Sequence, residues 1–97
     1  MLLRKGAYLP GTTQNFTTSG SSQVSSAFGS STSVIRVAVL ADTYIALGGS
    51  SITATTSSML IPAGKVELIA VGLGTGSTYI AFLQVSAAGR ISITELA

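Results

Sequence analysis

The chain has 97 residues, which is room for a single domain, and its net charge of +2 comes from five basic and three acidic residues. It contains neither histidine nor cysteine, which excludes disulfide bonds and the two commonest transition-metal ligands, so we expect no metal and no other cofactor. Charged residues make up only 8% of the chain, against about 25% in an ordinary soluble domain, which excludes a dense basic surface for nucleic acid and predicts that an assembly covers much of this surface.

The first 33 residues are predicted to form an extended N-terminal arm. Residues 11–33 are mostly Thr, Ser, Gly, Gln and Asn, a composition that does not bury enough apolar surface to fold alone. This stretch is uncharged, and its few large apolar residues include Phe16 and Phe28. Other large apolar residues precede it, at Leu2, Leu3, Tyr8 and Leu9. We therefore expect the arm to become ordered against another surface; a flexible linker is the alternative.

From residue 34 onward the pattern is that of short strands. In the first of them Ile35, Val37 and Val39 share one face, while Arg36 lies on the other face among apolar residues. Further β-prone stretches lie at 43–47, 52–55, 59–61, 65–71, 79–85 and 90–95. Glycine- and proline-containing turns separate them, and no stretch has helical periodicity. We predict an all-β domain over 34–97, a compact antiparallel β-sandwich or jelly-roll-like barrel.

Residues suited to catalysis are scarce. Acid–base chemistry usually uses His or a pair of carboxylates, and the only acids are Asp42, Glu67 and Glu95. Asp42 lies at a predicted turn, and the two glutamates lie on predicted outward strand faces, as solvated charges do. The glycine-rich residues 72–77 precede a strand rather than the helix that a phosphate-binding loop requires. We expect no catalytic residues and no enzymatic activity.

A role in assembly explains this composition better than a role in catalysis does. Arg36 would pair with Glu67 or Glu95 across a sheet or a subunit boundary, or else face solvent on a half-exposed strand. No apolar stretch approaches the ~18 residues of a membrane helix, and residues 1–5 reverse the order of a secretory signal, so we expect synthesis in the cytoplasm. The candidate assembly residues are Leu2, Leu3, Arg4, Lys5, Tyr8, Phe16, Phe28 and Arg36.

Five short motifs follow one another between residues 33 and 97. They are SVIRVA at 33–38, DTYIA at 42–46, LIPAGKVE at 60–67, STYIA at 77–81 and GRISIT at 89–94. This pattern resembles that of small proteins encoded among the structural genes of tailed phages, and residues 1–32 lie outside the resemblance. It implies a β-rich virion component, a cement or decoration protein that braces neighbouring capsid subunits.

That resemblance sets the functional expectations. The partners would be the chain itself, as a homo-oligomer expected to be a trimer, and the major capsid protein, with no nucleic acid and no membrane. The protein would be made in the host cytoplasm and lie on the capsid exterior. The arm would reach across joints between capsid subunits, so deleting residues 1–20 would abolish capsid binding and leave the β-fold. The alternatives are a tail, neck or fibre-associated protein, or a glycan-binding receptor module; a small enzyme is disfavoured.

Overall fold

In the computed structural model, ten strands make up the regular structure of residues 2–4, 7–72 and 76–96, the part of the chain that is described, and none of these residues is helical. A small hairpin comes first, formed by β1 (Leu2–Arg4) and β2 (Ala7–Tyr8). The remaining strands are β3 (Pro10–Thr17), β4 (Gln23–Val24), β5 (Val34–Val39), β6 (Thr43–Gly48), β7 (Met59–Ile61), β8 (Val66–Ala70), β9 (Tyr79–Gln84) and β10 (Arg90–Leu96).

These eight strands form two antiparallel sheets of four. Sheet 1 has the order β3-β10-β5-β8, and sheet 2 has the order β4-β9-β6-β7. The pairs β3·β10, β4·β9, β5·β8 and β6·β7 are nested along the chain, as in one long hairpin folded over on itself. The additional pairs β5·β10 and β6·β9 complete the sheets. This nested order is that of a double-sheet jelly roll, so the predicted all-β sandwich is confirmed.

The core lies between the two inner faces and follows the alternation seen in the sequence. Ile35, Val37 and Val39 of β5 are at most 1% exposed, as their shared face predicts. The central strand β9 is buried on both faces over Ile80, Ala81 and Phe82. Eleven buried side chains form one cluster, namely Phe28, Ile35, Val37, Val39, Ile45, Ile61, Val71, Ile80, Phe82, Ile91 and Ile93.

Residues 10–33 belong to the sandwich, which corrects the predicted division at residue 33. β3 pairs with β10 along most of its length, and β4 pairs with β9, so this segment contributes a strand to each sheet. The segment is extended and ordered against a surface, as its composition suggests, but that surface is the chain's own. The physical reason is alternation: Thr13, Asn15 and Thr17 of β3 face outward, while Phe16 lies opposite Ile91 and packs on the core.

Two further expectations differ from the structure. Residues 52–55 form no strand; they lie in the loop between β6 and β7, where the buried Ala54 donates its N–H to Ser22 Oγ at 2.9 Å. Glu95 was expected to face outward, but its Oε1 accepts hydrogen bonds from the Gly29 N–H at 2.9 Å and from the Thr32 hydroxyl. A carboxylate can lie beside the core there because these donors replace water.

Candidate assembly surface

The outer face of sheet 1 presents apolar side chains on its two last strands. Cross-strand pairing places Val66 opposite Ala38, Leu68 opposite Arg36, and Ala70 opposite Val34. Directly opposed residues point to the same side of a sheet, so these six form one surface. We call it the β5/β8 face: Val34, Arg36, Ala38, Val66, Leu68 and Ala70.

Exposure makes the β5/β8 face unusual. Leu68 is 56% exposed and Val66 is 44% exposed, although both lie in a regular strand. Leu40, which follows β5 in the same outward alternation, is 72% exposed, more than any other large apolar residue in residues 9–72 and 76–96. A contiguous exposed apolar patch of this kind is more often an interaction site than a surface that stays in water.

Arg36 lies within this apolar surface. Its cross-strand neighbours are Leu68 on β8 and Thr94 on β10. Glu67 lies opposite the buried Val37, and Glu95 lies opposite the buried Ile35. Both glutamates were predicted to face outward, but they point to the inner side of sheet 1, away from Arg36. The predicted pairing of Arg36 with either glutamate inside one chain is therefore wrong, because the alternation of the strand separates them.

Charge on the outer face of sheet 1 has one sign. Besides Arg36, the outward row of β10 contains Arg90, which is exposed and lies opposite Thr17. The remaining outward positions of sheet 1 carry apolar, Ser, Thr or Asn side chains, and no carboxylate occurs among its strand residues on this side. The face therefore combines exposed apolar groups with arginines that have no acid beside them.

The other predicted assembly residues are not brought together with Arg36. Leu2, Leu3 and Arg4 lie in β1 and Tyr8 lies in β2, whereas Lys5 lies outside the described residues. Phe16 and Phe28 are core residues, which corrects their assignment to an interface. Phe28 is only 6% exposed, and the half-buried Phe16 ring lies with its centroid 4.9 Å from that of Phe82. Aromatic rings in a polar segment are drawn into the core by the apolar area they bury.

The contribution of β8 to this surface was not predicted from the sequence. Val66 and Leu68 were assigned to a strand, but nothing in a single strand tells which neighbour it has or whether it lies at an edge. The available signal was the face of β5 that carries Arg36, where Val34, Ala38 and Leu40 are all apolar. An outward face on which every residue but one is apolar indicates a covered surface, and its partner strand then belongs to the same surface.

A second feature is a pocket of about 240 Å³ near one end of β3 and β10. It is lined by Asn15, Phe16, Thr17 and Arg90. An amide, a guanidinium and an aromatic ring suit a small polar ligand such as a sugar. The volume is below the roughly 300–1,000 Å³ of most small-molecule sites, so the pocket is a weaker candidate than the β5/β8 face.

Comparisons with family models, with curated proteins and with solved structures give no match. No helix of the described residues is long and apolar enough to cross a membrane. In the same part of the chain, no three acidic, histidine or cysteine residues cluster in a way that could hold a metal ion. The jelly-roll order describes the architecture alone, since this fold serves many functions, and the function has to be argued from the surface.

Proposed function

We propose that this chain is a structural virion protein, a cement or decoration protein that self-associates and bridges neighbouring capsid subunits on the outside of a phage head. The observation that carries the proposal is the β5/β8 face, where exposed Leu68 and Val66 surround an arginine that has no carboxylate beside it. The low charge of the whole chain and the resemblance of residues 33–97 to small phage structural proteins support the same function.

The mechanism would be adhesion rather than chemistry. Leu68 and Val66 would lose water against an apolar part of the major capsid protein, and Arg36 would meet a carboxylate there. Arginine is enriched among the residues that dominate binding energy, because its planar group forms two directed bonds to a carboxylate. Each contact would be weak, but an oligomer that engages several capsid subunits at once gains affinity through effective concentration.

The number of copies in the particle tests this proposal. Quantitative mass spectrometry of purified virions, calibrated against the major capsid protein, would give the ratio of the two chains. A cement protein predicts hundreds of copies per head, and treatment that strips it should lower the temperature at which the head breaks open. A particle that lacks the chain would overturn the proposal.

The second candidate function is that of a tail, neck or fibre-associated protein, or of a glycan-binding receptor module. The pocket formed by Asn15, Phe16, Thr17 and Arg90 is the observation that favours a glycan, and jelly rolls also occur among lectin domains. This function predicts a small copy number, in multiples of three or six, and binding of host glycans that is lost in Asn15→Ala. Glycan binding by the wild type with no association with heads would favour it over cement.

A further inference from the structure

The hydrogen bonds between β5 and β8 show which backbone groups of β8 are left at the edge of sheet 1. The Val71 N–H donates to the Ser33 carbonyl at 2.9 Å, and the Val39 N–H donates to the Lys65 carbonyl at 3.3 Å. In an antiparallel ladder every second residue bonds to the neighbouring strand. Lys65, Glu67, Ile69 and Val71 therefore face β5, and the N–H and C=O groups of Val66, Leu68 and Ala70 point away from the sheet.

We propose that a second copy of this chain pairs with this edge, β8 against β8, antiparallel and about a two-fold axis at Leu68. In that register Leu68 lies opposite Leu68 of the second copy, and Val66 lies opposite its Ala70. All three residues with outward backbone groups then form hydrogen-bonded pairs, which gives six N–H···O=C bonds from three pairs. The same residues place their side chains on the exposed apolar face, so one contact satisfies both the backbone and the side chains.

Charge selects this register over its nearest competitor. A two-fold axis at Glu67 would place two carboxylates directly opposite each other and leave two hydrogen-bonded pairs instead of three. With the axis at Leu68, Glu67 lies opposite Ile69 of the second copy. The two carboxylates are then diagonal neighbours, about 7–8 Å apart, so they oppose the pairing weakly. Glu67 is the only charged residue between Val66 and Ala70.

The other edges of the two sheets suit a second copy less well. β4 has two residues and β7 has three, which is too short for an extensive ladder. β3 is longer, but its outward row consists of Thr13, Asn15 and Thr17. The carbonyl of Thr17 is already occupied, because Gln23 Nε2 donates to it at 3.0 Å. Among the edge strands of the two described four-stranded sheets, only β8 combines free backbone groups with exposed apolar side chains over a full strand.

The area at this edge sets the strength of the contact. Leu68 is 56% exposed and Val66 is 44% exposed, and both lie on the edge strand itself. Together they offer roughly 150–200 Å² per copy, well below the ~800 Å² that each partner buries in a standard interface. We therefore expect a reversible dimer that dissociates on dilution, and not the trimer expected from the sequence. The pair would be favoured further where copies are crowded on a repeating surface.

The biological role of this dimer rests on the proposed function. Pairing at β8 would join the two outer faces into one eight-stranded sheet. The two copies of Arg36 would then be three strand spacings apart, or about 14 Å. A dimer of this form presents two equivalent anchoring groups on one side, as a protein that bridges two identical capsid subunits requires.

The molar mass in solution tests the pairing, measured by light scattering and sedimentation over about a hundredfold range of concentration. Leu68→Pro removes only an N–H that points away from the sheet, so the internal ladder keeps its bonds and the second copy is blocked. Leu68→Lys is the second variant, in case proline perturbs the strand, because lysine at an edge opposes pairing. Leu40→Lys is the matched control, since Leu40 is exposed on the same side but lies outside β8. Circular dichroism establishes that each variant is folded.

We expect the wild type and Leu40→Lys to approach twice the chain mass at high concentration. Both Leu68 variants should stay monomeric, with association weakened at least tenfold. Glu67→Gln should associate about two- to fivefold more tightly at low salt, and the gain should vanish at about 1 M salt. A wild type that is monomeric throughout, a discrete trimer, or folded Leu68 variants that still dimerise would each overturn the pairing. A monomer that still binds heads would overturn the pairing alone, whereas a dimer that binds no heads would overturn the proposed function alone.

Discussion

The ring of Phe16 packs on the ring of Phe82 with centroids 4.9 Å apart and an interplanar angle of 37°. Phe16 lies in β3 of sheet 1 and Phe82 lies in β9 of sheet 2, so this contact spans the interior between the sheets. The polar N-terminal segment is thereby attached to the core through one of its few large apolar side chains.

Phe16→Ala should lower the free energy of unfolding by about 2–3 kcal/mol. Complete burial of a phenylalanine makes this substitution cost about 3–5 kcal/mol, and Phe16 is only half-buried, so the loss should be smaller. Urea denaturation followed by circular dichroism measures it. Thr12→Ala, at an exposed position of the same strand, is the control and should change stability by no more than about 0.5 kcal/mol. Equal stability of the two variants would mean that β3 does not pack on the core.

Thr18→Val should destabilise the fold by about 1–3 kcal/mol although it keeps the shape of the side chain. Thr18 is 1% exposed, and its hydroxyl oxygen accepts the Gly89 N–H at 3.0 Å, while its own N–H donates to the Gly89 carbonyl at 2.8 Å. Valine leaves the N–H of Gly89 without this acceptor. Thermal unfolding of Thr18→Val and of the exposed control Thr17→Val compares the two sites. Similar midpoints for both variants would contradict this role of the hydroxyl.

Gly89→Ala should cost about 1–3 kcal/mol because a methyl group does not fit there. A Cβ built on Gly89 would lie 2.5 Å from the Cβ of Ala41 and 3.1 Å from its backbone nitrogen. Gly49→Ala is the matched control, since a Cβ at that position has nothing within 4 Å. Chemical denaturation should show a clear loss for the first variant and little change for the second. Partial recovery in Gly89→Ala combined with Ala41→Gly would identify the methyl–methyl contact as the cause.

Removing residues 1–20 should unfold the protein, in contrast to the expectation drawn from the sequence. The deletion takes away β3, which pairs with β10 from Pro10 to Thr17 and covers one side of Ile91 and Ile93. Removing only residues 1–9 takes away the β1–β2 hairpin, which belongs to neither four-stranded sheet, and should leave a cooperative fold. Near-ultraviolet circular dichroism and thermal unfolding distinguish the two. A cooperative fold of residues 21–97 would restore the idea of a separate arm.

Much of the fold could be predicted because the alternation of apolar residues shows where a strand lies and which of its faces is buried. The strand at Val34–Val39 and its buried face were predictable from β-branched residues at every second position. Strand β3 was not, because Thr, Gln and Asn are as typical of linkers as of a strand with one solvated face. Glu95 shows a second limit: its alternation with Ile91 and Ile93 was visible, but the donors Gly29 and Thr32 come from more than 60 residues away.

The candidate surface could be predicted only in part. Arg36 was identified from its apolar neighbours along β5, whereas Leu68 required knowledge of which strand lies beside β5. Strand pairing over 32 residues depends on the whole topology, and no local pattern encodes it. For the same reason Phe16 and Phe28 were assigned to an interface: an isolated aromatic in a polar stretch has to be covered, but the sequence does not say by what.

Binding to empty phage heads tests the central claim most directly, with wild type, Arg36→Glu and Lys65→Glu compared by co-sedimentation. Both substitutions change the net charge equally, and both residues are exposed, but only Arg36 lies within the β5/β8 face. We predict that all three proteins have the same thermal midpoint, that wild type and Lys65→Glu bind heads alike, and that Arg36→Glu binds at least tenfold more weakly. Equal binding by Arg36→Glu and the wild type, or an equal loss in both variants, would contradict the account.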